Sequence, residues 1–347
     1  MAAPYIAAGL LLIVVEDIRA LGLRAAGARL GRFVWRLLPA LPIGYLIMGL
    51  LWPWAVLSPL NPLRAAEYFD TFFEKPWKEL YAGALISVPD MPMSYLPNLF
   101  MLKLPELMLT LGLAGMAGAL IVAAMPCVHV KRRAALLTVA LAVLLPIAVA
   151  MVMRPALYNG LRHFVFVVPP FAALAGLCAA WLFERARSYG LVAAGVACAI
   201  FVTGIALPAS HMVRLHPYEY TYFNALAGGV PGAAKNYMLD YWGLAFKQAS
   251  DALRARLAAA GEQPPPDRRW TVAICGPQAP AKVELGPQFE TVWGEKSADF
   301  AMVLGTFYCR HLDAPILAEV RREGVVYARV YDIRGRPAPN LLTEPPP

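Results

Sequence analysis

The chain has 347 residues, 59% of them hydrophobic and only 16% charged, with a formal net charge of +8. Soluble domains average about 25% charged residues, so an ordinary soluble enzyme over the whole length is excluded. The positive balance does not point to nucleic acid, because the basic residues gather in short connectors between apolar stretches.

A hydrocarbon layer about 30 Å thick takes roughly 20 mostly apolar residues per helical crossing. Stretches of that kind fall at Pro4–Val15, Leu37–Leu57, Leu104–Ala124, Ala134–Met153, Phe164–Phe183 and Leu191–Pro208. The first is too short for a firm crossing; the other five are close to full length. The expected fold is a polytopic α-helical membrane bundle over 1–208, followed by a small extracytoplasmic α/β domain over 209–336 and a disordered, proline-rich tail over 337–347. Pro39, Pro42, Pro53, Pro146, Pro169 and Pro170 interrupt or end the apolar helices, as membrane bundles tolerate when neighbours satisfy the freed carbonyls. Small residues in Gly112–Leu120 (GLAGMAGAL) suit close helix approach.

Charge sets the expected orientation. Arg19, Arg24, Arg29, Arg32 and Arg36 lie between the first two stretches; Lys131, Arg132 and Arg133 between the third and fourth; Arg185 and Arg187 between the last two. By the positive-inside rule these connectors are cytoplasmic. The connectors Ser58–Lys103 and Arg154–His163, and the carboxyl-terminal region, then face outward. With six crossings Met1 is also outside, yet no basic n-region of a signal peptide precedes the first stretch. Two readings are open: a chain entered partway through, with further residues upstream, or a short first helix that starts outside or lies in the interface without crossing.

The connector Ser58–Lys103 is rich in Phe, Tyr, Trp and Pro. Asn61–Phe73 is expected to form an interfacial amphipathic helix, with Trp52, Trp54 and Trp77 at the same headgroup level. After Pro208 a helix is expected over Tyr241–Ala260, strands at Trp270–Cys275, Phe300–Leu304 and Val325–Ile333, and a further helix at Pro315–Glu323. Cys127, Cys178 and Cys198 read as small packing residues. Cys275 and Cys309 fall in the outward domain, where an oxidising compartment would let them pair, although no spacing requires it.

No phosphate-cradling GxxxxGK[ST], GxGxxG, HExxH or GxSxG is present. Chemistry is therefore sought where polar groups meet the outer membrane face, and three segments qualify. In Val88–Glu106, Asp90 and Tyr95 sit among prolines and Lys103 enters the next apolar stretch; a lysine there could meet a lipid phosphate or simply snorkel. In Met153–Pro170, Arg154, Tyr158, Asn159, Arg162 and His163 crowd one short connector, and Arg162 and His163 open a helix whose N–H groups favour anions. In Arg214–Ala249, Tyr218, Glu219, Tyr222, Asn224, Asp240, Tyr241 and Trp242 either line a ligand site or form a packed seam. The lipid-phosphate candidates are thus Lys103, Arg154, Arg162 and His163. The substrate candidates are Asp90, Tyr95, Tyr158, Asn159, Tyr218, Glu219, Asp240 and Trp242.

The segments LYNGLRHFVFVVPP, HPYEYTYFNALAGGVPGA and YMLDYWGLAFKQA resemble the carboxyl-terminal half of bacterial GT-C membrane glycosyltransferases. That group is related to protein mannosyltransferases and to the aminoarabinose transferase of lipid A (glycosyltransferase family 39-like). PWKELYAGALISVPDMPMSYLPNLFMLKLPE resembles a later outward loop of the same group, and the likeness covers most of Trp52–Arg334. It implies an inverting inner-membrane enzyme with a periplasmic domain. Such an enzyme moves a sugar from a polyprenyl-phosphate donor to an extracytoplasmic glycan, lipid or protein acceptor, without nucleic acid. The family's catalytic acid lies in a first outward loop that has no counterpart here, so no residue inherits it. Glu16 and Asp17 fall on the cytoplasmic side, and nothing marks Asp70, Glu74 or Asp90 as the base. No cofactor is assigned; a divalent metal is one option the resemblance leaves open, though no residues have zinc-ligand spacing. The competing expectation is a non-catalytic membrane protein that binds polyprenyl lipids or scaffolds an envelope complex. A transporter fits less well, because the apolar stretches are almost free of charge.

Overall fold

The computed structural model describes residues 2–70, 78–292, 297–305, 307–337 and 340–343. Five segments among them are long and apolar enough to cross a membrane: Leu23–Leu51, Glu106–Ala124, Val130–Met153, Arg162–Ser188 and Leu191–Leu215. Backbone contacts divide the chain into two units. One comprises Met1–Pro76, Thr110–Met153 and Phe164–Trp181; the other comprises Trp77–Leu109, Arg154–His163 and Leu182–Pro347.

The first unit is helical. Helix α1 covers Ala2–Leu21, longer than the short stretch expected, because its helical run continues past Val15 through Glu16, Asp17 and Arg19. Gly22, at φ 82°, ends it and admits a sharp turn into α2, Leu23–Leu37. The arginine-rich connector expected between the first two stretches is therefore itself a helix. Its apolar residues recur three and four positions apart, which is the helical period.

The next apolar stretch is not one uninterrupted helix either. Helix α3, Ala40–Leu51, stops at Trp52, and α4, Pro53–Val56, starts anew. Pro53 removes an N–H and forces the preceding residue out of the helical region, and Trp52 sits at φ −141°, ψ 73°. Helix α5 runs Asn61–Asp70; the remainder of the predicted interfacial helix, with Glu74 and Trp77, lies outside the described residues.

Further along the unit, α1 packs on the helix Val130–Met153, and Gly9 permits the approach: a Cβ there would stand 2.1 Å from Thr138 Oγ1. Gly112 and Gly115 serve the same purpose against Phe171 and Leu174. A Cβ on Gly115 would meet the Leu174 carbonyl oxygen at 2.2 Å. Only glycine allows backbones this close. Arg133 is buried, donating to Glu16 (3.1 Å) and to the Ala123 carbonyl (2.9 Å).

The second unit begins with a hairpin inside the expected outward connector: β1, Lys78–Tyr81, and β2, Ala84–Ser87. Ala82 and Gly83 both take positive φ, as a two-residue hairpin turn demands. Helix α6, Tyr95–Lys103, follows in this unit; α7, Glu106–Ala124, passes at Thr110 into the first unit, which also holds α8, Val130–Met153, with Pro146 inside it. Helix α9, Val168–Ser188, carries Pro169 and Pro170 in its first turn, where a missing N–H costs nothing. Helix α10 spans Leu191–Leu215, and α11 is the short Gly229–Ala233.

A small sheet domain closes the chain. Helix α12, Ala245–Ala259, precedes β3 (Trp270–Cys275), α13 (Gln278–Leu285), β4 (Phe289–Val292), β5 (Phe300–Leu304), β6 (Ile316–Arg322) and β7 (Val325–Asp332). Helix α12 starts later than expected because Gly243, at φ 69°, breaks the backbone before it. The strand order is β4-β3-β5-β7-β6, with β3 parallel to β4 and β5, and β7 antiparallel to β5 and β6.

The helix expected at Pro315–Glu323 is instead strand β6. The Glu323–Gly324 turn, positive φ at both residues, folds it back onto β7, and Glu319 reaches across to Arg329 at 2.6 Å. These charges are thus paired across a hairpin. Cys275 and Cys309 form a disulfide within a core of Ala273, Ala301, Val303, Leu312, Tyr331, Ile333 and Leu341. In the terminal segment Leu341 is buried, and its carbonyl accepts from Arg310 N–H at 2.7 Å.

Candidate functional site

Three segments of the second unit meet around Glu79. In β1, side chains alternate across the strand, so Glu79 and Tyr81 share the buried face; Glu79 is only 4% exposed. Tyr95 opens α6 and donates its hydroxyl to Glu79 Oε1 at 2.7 Å. The connector between α8 and α9 supplies the third segment. Asn159 and Gly160 both adopt left-handed backbone (φ 58° and 72°), which asparagine and glycine tolerate best. That turn aims two successive N–H groups inward: Asn159 donates to Glu79 Oε2 at 2.6 Å, and Gly160 donates to the Tyr95 hydroxyl at 3.0 Å.

Lys103 stands at the other end of α6. Its ammonium donates to the carbonyls of Tyr220 (3.1 Å) and Tyr222 (3.4 Å) and lies 4.2 Å above the Phe223 ring. Asn224 fixes this segment on α6, since its side chain donates to the Met101 and Leu104 carbonyls and its N–H to the Leu102 carbonyl. Carbonyls left open at the end of α6 are thereby satisfied. Part of the Lys103 side chain remains accessible, but dense protein around the ammonium lowers its pKa to about 7, an effect that the negative Glu79 opposes. Burial likewise raises the Glu79 pKa, against the hydrogen bonds from Tyr95, Asn159 and Gly160. The Tyr95 phenol is pushed up by burial and by the Glu79 charge.

Arg162 borders this cluster. Its guanidinium carbon sits 4.4 Å from the Tyr158 ring centre and 4.8 Å from that of Trp242. Its Nε is buried with no hydrogen-bond partner among the described residues. Tyr241 lies beside Trp242, its ring 5.8 Å away, and burial raises its pKa to about 12 while Arg162 pulls it down. A Cβ on Gly160 would stand 3.8 Å from both Lys103 Cε and Tyr241 Cε1, so the glycine separates the lysine from the aromatic cluster. Glu79, Tyr81, Tyr95, Lys103, Gly160, Phe223 and Tyr237 line a small, narrow cleft.

The structure thus brings together Tyr95, Lys103, Tyr158, Asn159, Arg162 and Trp242 from the expected residues, with His163 stacked edge-on against Tyr158 at 4.8 Å. Others lie elsewhere. Asp90 is exposed at the end of a short 3-10 turn, and Arg154 is exposed at the start of the connector with φ 48°. Glu219 pairs with His216 at 2.6 Å.

Tyr218 and Asp240 are both in the interior of the second unit. Tyr218 is fully buried against Tyr327, with ring centres 4.8 Å apart. Asp240 is fully buried, accepting from the Tyr220 hydroxyl and from the Leu244 and Ala245 N–H groups at 2.9 Å, so it caps the start of α12. Burial raises its pKa against those hydrogen bonds. Through Tyr220 it also steadies one carbonyl that holds Lys103.

Glu79 was not singled out in the sequence. The available signal was its place in KELY, two residues from Tyr81 on the same strand face, where a carboxylate must find internal donors. No group of three or more His, Cys, Asp or Glu side chains suited to a metal ion occurs among the described residues. No family model, curated protein or solved structure matches this chain.

Proposed function

We propose that the chain is a membrane glycosyltransferase that takes a sugar from a polyprenyl-phosphate donor on the extracytoplasmic side of a bacterial inner membrane. The observation that carries this reading is Arg162. A guanidinium held between two aromatic rings, with an unsatisfied buried Nε and with Lys103 beyond Gly160, suits a phosphate at the end of an apolar lipid. Two further facts favour an outward site. The Arg154–His163 connector sits at the opposite end of α8 from Lys131 and Arg132, and the Cys275–Cys309 bridge suits an oxidising compartment.

In the proposed reaction the acceptor hydroxyl oxygen bonds to the anomeric carbon as the bond from that carbon to the phosphate oxygen breaks. The bond electrons leave with the polyprenyl phosphate, and the hydroxyl proton passes to a base. Arg162 and Lys103 neutralise the negative charge that grows on the departing phosphate. Glu79 is a positioning residue: its carboxylate is committed to Tyr95 and Asn159, and it holds the connector that presents Arg162.

That same commitment favours a second reading. Both buried acids of the region, Glu79 and Asp240, are occupied by internal hydrogen bonds, which suits a protein that binds polyprenyl lipid without chemistry. Sugar release from a labelled donor separates the two readings.

The shared binding claim is tested with purified full chain and polyprenyl phosphate, using the phosphate-free polyprenol as control. Hydrogen bonds to charged groups are worth about 1.5–3 kcal/mol, so Arg162→Ala is expected to weaken binding about 10- to 100-fold and to leave polyprenol unaffected. Equal affinity of wild type and variant overturns the assignment.

A further inference from the structure

We propose that α2, Leu23–Leu37, is a membrane-surface helix that binds anionic lipid headgroups. The inference stands apart from the phosphate site and rests on the first unit alone. The segment LRAAGARLGRFVWRL contains four arginines and no acid. Leu23, Ala26, Leu30, Phe33, Val34 and Leu37 follow one another at intervals of three, four, three, one and three, which lines them along one side of a helix. Arg24, Arg29, Arg32 and Arg36 fall on the other side. Every residue of α2 except Ala26 is exposed, so the apolar side is uncovered by this chain; Leu23 reaches 74%.

Chain connections say what covers that side. Helix α2 is the arginine-bearing first part of the segment Leu23–Leu51, of which Ala40–Leu51 is the charge-free part; it joins the end of one apolar helix, α1, to the start of another, α3, through the Gly22 turn and the two residues Leu38–Pro39. A segment joining two apolar helices in this way is held at a bilayer face, and its four arginines oppose entry into hydrocarbon. An amphipathic helix so placed lies along the interface, apolar side down and basic side among the headgroups.

Charge complementarity fixes the lipid type. Arg29 is paired with Asp17 at 3.0 Å, but no ion pair is formed by Arg24, Arg32 or Arg36 among the described residues. The Glu16–Arg133 contact, 3.1 Å, brings the end of α1 to the start of α8, where Lys131 and Arg132 are exposed. One face of the unit is therefore basic, and an anionic leaflet is the surface that matches it.

The test uses full-length chain with Cys127, Cys178 and Cys198 replaced by serine. The chain is spin-labelled at Phe33→Cys or at Arg32→Cys, in phosphatidylcholine vesicles with and without phosphatidylglycerol. The expected result is a Phe33 label reached by oxygen and shielded from a water-soluble nickel chelate, with the reverse at Arg32. Equal exposure of both labels to the chelate, as on a solvated or protein-covered surface, overturns the proposal; so does deep shielding of both. Phosphatidylglycerol retained through purification is expected to fall about tenfold or more in the Arg24→Gln, Arg32→Gln, Arg36→Gln variant. Unchanged retention removes the anionic-lipid assignment.

Discussion

Replacing Glu79 with glutamine keeps the shape of the side chain and removes one acceptor. The glutamine carbonyl can receive either the Tyr95 hydroxyl or the Asn159 N–H, but its NH2 group must then face a donor. Both native bonds are short, 2.7 and 2.6 Å, and both end on a nearly buried charge. Leaving one buried donor unmet costs about 1–3 kcal/mol, and the remaining bond loses its charge assistance. A net loss of about 2–3 kcal/mol follows, and it is local, because the bonds tie the Arg154–His163 connector to β1 and α6. Hydrogen exchange is the suitable assay. Protection of the Asn159 and Gly160 amides in full-length Glu79→Gln is expected to fall about 30- to 150-fold, with sheet-domain amides unchanged. Glu79→Ala is expected to go further, since it also leaves a cavity. Unchanged protection at Asn159 would show that the carboxylate does not hold the connector, and its positioning role would fall.

Lys103 gives a pH signature. Its pKa near 7 lies below the ordinary 10.5, so between those values the unliganded ammonium is largely deprotonated. Binding a phosphate then requires proton uptake, and affinity is expected to fall as pH rises from about 8 to 10, by up to about tenfold per pH unit. Lys103→Met is expected to bind more weakly and to show a flat profile; a flat wild-type profile would exclude the lysine from the phosphate site. The disulfide is tested by alkylation of the protein as isolated. Three of its five cysteines are expected to react without reductant and five with it. Reduction, which reopens a loop of sequence separation 34, is expected to cost the sheet domain up to about 4 kcal/mol, read as faster exchange in β3 and β5. Five reactive cysteines before reduction would contradict both the bridge and an oxidising location.

Much of this architecture is legible in the residues because apolar length and strand composition are strong signals. The long apolar helices follow from hydropathy, and β3, β5 and β7 follow from compact runs such as FAMVL. Where the reading went astray, charge concealed periodicity. Arg24 to Arg36 suggested a connector, although the apolar residues between them keep helical spacing. Pro315–Glu323 was expected as a helix, but the Glu323–Gly324 turn makes Ile316–Arg322 one arm of a hairpin.

At the site, Arg162, Tyr158 and Lys103 could be found because polar groups crowded into short connectors have few places to go. Glu79 could not be found so easily, since its importance comes from Asn159, eighty residues away in sequence. For Asp240 the sequence left a ligand wall and a packed seam open; in the structure the carboxylate is buried and caps α12.

The most direct measurement places a photoreactive amino acid at Trp242 in the full-length, membrane-embedded chain and irradiates it with radiolabelled polyprenyl phosphate. Trp242 is 51% exposed and lies against Arg162, so a crosslink is expected there. Excess unlabelled polyprenyl phosphate should suppress it and polyprenol should not. Absence of a crosslink at 242, or a crosslink that polyprenol competes equally well, would contradict a lipid-phosphate site at Arg162 and Lys103.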